Sequence, residues 1–285
     1  MASTSATISS DTLTRRLGAL RDGGRRALVA YVTAGHPDPA TSVTLLRGID
    51  AAGADVIELG IPFSDPMADG PIIQASSQRA LDHGMTLART LELIREARVR
   101  APIVLFTYLN PLLAAGPDVL DRAAAAGAHG VLVTDLPVGA DPGREQWLGN
   151  GPLAFVRLVA PTTPLERMRE IAAHGSGFVY LISRRGVTGV RTDVPAELPE
   201  TLWRLRQATT LPICVGFGIS TAEQAKAVGR LTDGIVVGSA IVQAADKSVD
   251  AATELVSTLR RASTPSELML RGSVTRRVAS CSDSR

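Results

Sequence analysis

Glu58, Asp65 and Asp69 fall within one short stretch, Glu58-Leu-Gly-Ile-Pro-Phe-Ser-Asp-Pro-Met-Ala-Asp-Gly-Pro71. Before it, Ala54-Asp-Val-Ile-Glu58 reads as an apolar strand. Side chains alternate along a strand, so Val56, Glu58 and Gly60 share one face while Ile57 and Leu59 share the other. A carboxylate in an apolar strand is costly to bury unless it is paired or solvated. Pro62, Pro66 and Pro71, with Ser64, Asp65, Asp69 and Gly70 among them, forbid continuation as helix or strand. The stretch thus reads as one acid fixed on a strand and a second delivered beside it by a loop. Two such acids suit proton transfer. Asp and Ser beside Pro are also ordinary turn formers, so the loop by itself leaves a purely structural reading open.

The elements that must position these acids repeat along the chain. Apolar strands are expected at Ala27–Thr33, Val56–Gly60, Ile103–Thr107, Gly130–Val133, Leu153–Val159, Phe178–Leu181, Leu211–Val215 and Gly234–Val237. Helical patterns fall between them: Pro39–Ala52, Ile73–Asp82 with Leu87–Arg100, Pro117–Ala126, Gly143–Leu148, Pro164–Ala173, Leu198–Ala208 and Thr221–Val228, with further helix from Ala240 to the region of Arg261. Strands buried on both faces read as near-continuous Val/Ile/Leu runs, as these do. Eight strands alternating with helices predict a single-domain (β/α)8 TIM barrel spanning residues 1–264. An additional N-terminal helix, Asp11–Arg21, carries Leu13, Leu17 and Leu20 at helical spacing. The basic, Ser-rich segment 265–285 is expected to be a disordered tail.

Composition narrows the chemistry. The chain has 285 residues, 45% hydrophobic, with a net charge of +2 and 4% aromatics. That balance points to neither nucleic acid nor a membrane surface. The first ten residues lack a signal peptide's apolar core, and no apolar run reaches the ~18 residues of a membrane span, so a cytoplasmic setting is expected. Cys214 and Cys281 give no disulfide framework, and the four histidines are scattered without zinc-ligand spacing. The lysines are Lys226, within a helix, and Lys247, near the C-terminal helices; neither ends a barrel strand. A Schiff-base aldolase is disfavoured accordingly.

In a barrel, catalytic groups sit at the C-terminal ends of the strands, where Glu58 falls. Strand seven ends in Gly216-Phe-Gly-Ile-Ser220 and strand eight in Gly238-Ser239, each leading into a helix. Glycines let backbone approach a phosphate, and helix N-termini aim N–H groups at it. After strand six, Ser183-Arg-Arg-Gly-Val-Thr-Gly-Val190 begins a long polar loop, read as a lid that excludes water. Neither this loop nor the one carrying Asp69 is held by regular structure, so both are expected to move in the isolated chain.

With these residues in place, the chain resembles the tryptophan synthase alpha subunit, from Leu13 to about Arg261. The likeness is densest in ADVIELGIPFSDPMADGPIIQ (residues 54–74), YLISRRGVTG (180–189), VGFGIST (215–221) and VGSAIV (237–242). The resemblance implies a lyase of tryptophan biosynthesis that cleaves indole-3-glycerol phosphate by a retro-aldol reaction, giving indole and glyceraldehyde 3-phosphate. It implies Glu58 as acid/base, and Asp69 as the carboxylate that holds the indole N–H. By the same likeness Gly189, Gly218, Gly238 and Ser239 hold the phosphate. Thr188 stands in the mobile loop near Asp69. Tyr31, Phe106, Leu132, Tyr180 and Phe217 wall the indole pocket. Pro62 and Asp65 face a beta subunit, in an expected α2β2 heterotetramer. No cofactor is implied for this chain, the family's pyridoxal phosphate belonging to the beta subunit. Asp135, after strand four, is expected to be a structural loop acid.

Three other readings share parts of the pattern. Another phosphosugar barrel, such as an epimerase, an isomerase or indole-glycerol phosphate synthase, would have the phosphate turns but not this carboxylate loop. A subunit that only binds a phosphorylated ligand would need neither Glu58 nor Asp69. A stand-alone indole-releasing lyase would carry the same residues, and only the presence or absence of a partner separates it.

Overall fold

The computed structural model describes residues 6–182, 195–216 and 218–263. The expected lid, with Thr188 and Gly189, together with Phe217 and the segment 265–285, lies outside them.

Eight parallel strands close into a barrel in chain order. They are β1 (Ala27–Thr33), β2 (Val56–Gly60), β3 (Ile103–Thr107), β4 (Ala128–Val133), β5 (Ala154–Val159), β6 (Val179–Ile182), β7 (Ile213–Gly216) and β8 (Gly234–Val237). The closing pair, β1 and β8, is in register from Ala27↔Gly234 to Ala30↔Val237. Around the barrel run α1 (Ala6–Asp22), α2 (Pro39–Ala51), α3 (Pro71–Asp82), α4 (Leu87–Ala97), α5 (Leu109–Ala114), α6 (Val119–Ala126), α7 (Pro142–Gly149), α8 (Leu165–Ala173), α9 (Leu198–Ala208), α10 (Ala222–Gly229), α11 (Ser239–Ala245) and α12 (Val249–Ser263).

Strand alternation divides the apolar residues into two cores. Ile57, Leu59, Leu105, Val131 and Val215 face outward and pack under the helices. Val29, Val56, Val104, Leu132, Val156, Phe178 and Cys214 face inward and fill the barrel. Leu13 and Leu17 of α1 join that inner core, closing the end opposite the loops that follow the strands. The Thr14 hydroxyl, 3.0 Å from the Gly177 amide that donates to it, fixes α1 there. The helices start where side chains can cap them: Asp38 accepts from the Thr41 amide, and Thr221 with Gln224 forms a capping box.

Element identities follow the sequence pattern, with differences at boundaries and one addition. The helix expected from Pro117 begins at Val119, since Gly116 turns the chain at φ +96°. The C-terminal helical region divides into α11 and α12. Helix α5 lies in the stretch between the third strand and the next expected helix, to which the sequence reading assigns no element; it contains Pro111. That proline occupies the first helical turn, where its missing N–H has no intrahelical acceptor to lose.

Candidate active site

The inward residues at the strands' C-terminal ends do not fill the barrel. They leave a cavity of about 290 Å³, open at the mouth. Tyr31, Glu58, Phe106, Leu158, Tyr180, Gly216 and Val236 line it from the strands, Ala68, Asp69 and Thr134 from the loops, and Gly218, Gly238 and Ser239 from the far rim. Tyr31 and Phe106 meet edge to face, centroids 5.3 Å apart. Two glycines make room for the tyrosines. A Cβ on Gly60 would lie 2.2 Å from the Tyr31 hydroxyl oxygen, and one on Gly216 would lie 2.3 Å from that of Tyr180. Each ring therefore lies across the end of the next strand, and a side chain at either glycine would evict it.

Glu58 is 1% exposed. Its backbone pairs with Tyr31 on β1 and Val104 on β3, which aims the side chain inward. Among the described residues, Oε1 has no hydrogen-bond partner. Burial raises its pKa to about 8. A carboxyl held this way carries a proton near neutral pH and is poised to give it up.

Asp69 faces the same cavity from the loop between β2 and α3. Burial raises its pKa to about 6, opposed by the Tyr108 hydroxyl, which lies 3.1 Å from Oδ2. Near neutral pH this acid is ionised. The cavity thus holds one protonated and one ionised carboxyl, distinguished by how completely each is desolvated. The phenols of Tyr31 and Tyr180 are shifted up by burial, with the Asp69 and Glu58 charges adding to it, so both remain neutral donors.

The loop carrying Asp69 is held more firmly than its sequence implies. The Phe63 amide donates to Ser77 Oγ at 3.3 Å, and the Gln74 side-chain amide donates to the Asp69 carbonyl at 2.9 Å. The Asp69 amide closes a turn onto Pro66 O at 3.0 Å. The Phe63 ring packs on Tyr108 with centroids 5.0 Å apart. Residues of α3 and the residue that follows β3 therefore supply what the loop itself lacks. Pro62 is buried within the chain, whereas Asp65 is exposed and Met67 is 87% exposed at the loop tip.

On the far rim, Gly218 has φ +82°, a conformation glycine adopts without strain. Gly238 precedes α11, and the Ile241 and Val242 amides bond back to its carbonyl. The cavity therefore has a carboxylate end and a glycine end.

Tyr31, Glu58, Asp69, Phe106, Tyr180, Gly218, Gly238 and Ser239 meet at this one cavity. Leu132 does not. It is fully buried in the inner core, and the wall at β4 is formed two residues later by Thr134. Thr134 is the next inward position of the same two-residue period past the strand end, and the depth of the cavity decides between it and Leu132. Asp135 accepts from the Leu109 amide at 2.8 Å, bonding the first residue of α5, as a structural acid would. Tyr108, which belongs to no motif in the sequence, joins the site through Asp69. Among the described residues, no cluster of three or more His, Cys, Asp or Glu is arranged to hold a metal, and no helix is long and apolar enough to cross a membrane.

Comparison with known proteins points the same way. The family model described as tryptophan synthase alpha chain matches residues 17–269. The tryptophan synthase alpha chain of Laribacter hongkongensis is 48% identical over 232 residues, 80% of this chain and 88% of that protein. That of Gluconacetobacter diazotrophicus is 48% identical over 248 residues, 84% of this chain and 89% of that one. Among solved structures, Mycobacterium tuberculosis tryptophan synthase matches with a TM-score of 0.81 at 31% identity, over 89% of this chain and 98% of that chain. The alpha subunit from Legionella pneumophila matches with a TM-score of 0.79 at 35% identity, over 88% and 97%.

Proposed function

Given that this chain belongs to the tryptophan synthase alpha chain family, lyases that split indole-3-glycerol phosphate into indole and glyceraldehyde 3-phosphate, we propose that Glu58 and Asp69 carry out that cleavage. The observation that carries the reading is the pairing of a proton-bearing Glu58 with an ionised Asp69 across one cavity rimmed by glycine turns.

The reaction needs a proton on the indole ring carbon that bears the side chain, and loss of a proton from the adjacent side-chain hydroxyl. Protonated Glu58 donates the first. Positive charge then develops on the ring nitrogen, whose N–H is held by the Asp69 carboxylate. The Glu58 carboxylate left behind takes the hydroxyl proton, the carbon–carbon bond breaks, and its electrons restore the aromatic ring. The aldehyde forms, and Glu58 ends in its starting state. Tyr31, Phe106 and Tyr180 flank the indole, with Thr134 rather than Leu132 at the β4 wall. Gly218, Gly238 and Ser239 receive the phosphate at the opposite end, together with Gly189. Thr188 and Phe217, which the family resemblance also implies, lie outside the described residues.

Glu58→Gln keeps size but cannot shuttle a proton. Indole release should fall by ~10²–10⁴, while glycerol phosphate still binds in a calorimetric titration. Turnover near that of the parent chain would remove Glu58 from the mechanism.

The family works with a beta subunit, which carries the pyridoxal phosphate. For this chain we propose an α2β2 assembly in which indole passes to the beta subunit directly. The exposed tip of the Asp69 loop, Asp65 and Met67, is the surface offered to it. Pro62, buried under that tip, would transmit contact rather than make it. We place this assembly in the cytoplasm.

A further inference from the structure

Tyr108 is the residue immediately after β3, 40 positions from Ala68 and 39 from Asp69 along the chain. Its hydroxyl makes two contacts with their loop. The Ala68 amide donates to it at 2.9 Å, and it lies 3.1 Å from Asp69 Oδ2. A phenol has one proton. With the amide occupying the oxygen as acceptor, that proton is directed at Asp69. Oδ2 is thereby engaged, while Oδ1 has no hydrogen bond to a described residue.

Tyr108 is itself immobilised on three sides. Its ring packs against Phe63. Its carbonyl accepts from Thr107 Oγ1 at 3.1 Å. The next amide, Leu109, is bonded to Asp135. The residue is 4% exposed. A rigid donor therefore grips a carboxylate carried on a loop.

We propose that Tyr108 is a positioning residue for the cleavage reaction, its hydroxyl fixing the Asp69 carboxylate so that Oδ1 is presented to the substrate. This rests on the reading of Asp69 as the carboxylate facing the ring nitrogen. Tyr108 does not touch the substrate; it acts through Asp69. Misplacing a reacting group by ~1 Å costs on the order of 10² in rate, which is the scale available to such a clamp.

The hydroxyl also has an electrostatic consequence. Its hydrogen bond holds the Asp69 pKa down against burial, so removing it lets that pKa rise. The ionisable groups facing Asp69 are Glu58 from β2, Tyr31 from β1, Tyr180 from β6 and Tyr108 itself. The three phenols stay neutral over the working range. Glu58 loses its proton above Asp69, so the acid limb of the rate profile reports Asp69.

The test is Tyr108→Phe in the full chain, assayed for indole release with saturating and limiting indole-3-glycerol phosphate between pH 5 and 9. The ring and its packing on Phe63 survive; only the hydroxyl is lost. A fall in kcat of about tenfold or more, KM within about twofold of the parent, and an acid limb moved to higher pH are expected. In an Asp69→Asn background the same substitution should cost no more than about twofold, since the group it positions is gone. Two outcomes overturn the proposal and are distinguishable. If Asp69→Asn collapses activity while Tyr108→Phe keeps the parent kcat and acid limb, Tyr108 is only packing and the Asp69 reading stands. If Asp69→Asn retains parent activity, the Asp69 reading fails and takes the Tyr108 proposal with it.

Discussion

Glu58 and Asp69 face one cavity but are held in opposite ways. Glu58 is fixed by the barrel: paired strands on both sides set its direction, and Oε1 has no described partner. Asp69 is fixed by side chains: Tyr108 holds its carboxylate and Gln74 its carbonyl. The first arrangement isolates a carboxyl and keeps its proton on. The second supplies hydrogen bonds and leaves the carboxylate ionised. A strand end suits the proton carrier because nothing near it needs to stabilise charge. A loop suits the anion because a loop can be met from several elements at once.

The sharpest way to test this contrast is the pH dependence of kcat/KM. Asp69 must be ionised, so the rate should fall as pH drops through about 6. Glu58 must be protonated, so it should fall again as pH rises through about 8. Two pH units beyond either limb the loss should be about a hundredfold, as expected for a bell-shaped profile. A profile flat across this range would break the assignment of opposite protonation states.

A smaller effect concerns stability. Glu58 has a folded pKa of about 8 against an ordinary 4.5, so the folded chain keeps a proton that the unfolded chain releases between those values. Its contribution is full below the unfolded pKa and is lost as pH rises through the folded one. Glu58→Gln should therefore be the more stable chain at pH 9, by a few kcal/mol, with a much smaller gain at pH 5. Urea denaturation at the two values measures it. An equal gain at both would mean that burying the charge is not what Glu58 costs the fold.

The smallest effect falls on the loop-held acid. A beta subunit packing on Asp65 and Met67 would bias the loop toward its working form by binding that form better. Because Tyr108, Gln74 and Ser77 already hold the loop, the gain should be modest, about tenfold in kcat for indole release. The rate is measured with and without the beta subunit, after co-elution shows the complex. Equal rates would mean that the loop is fully placed by the chain alone.

Much of this site is legible in the sequence itself, and for definite reasons. Glu58 ends a strand whose alternation can be counted, and barrel strands deliver their last inward residue to the mouth. The glycines of strands seven and eight announce themselves because a turn with close backbone approach restricts the residue type. The eight apolar runs specify the barrel because strands buried on both sides have little choice of composition. What sequence alone did not decide depends on residues far apart in the chain. Tyr108 follows an apolar strand and belongs to no motif in the sequence; only barrel closure carries it to Ala68 and Asp69. The inner wall at β4 passes from Leu132 to Thr134 because the depth of the cavity floor is set by all eight strands together. The protonation states belong to the fold as well, since the two acids are the same functional group in the sequence. Burial separates them, and burial is a property of the closed barrel.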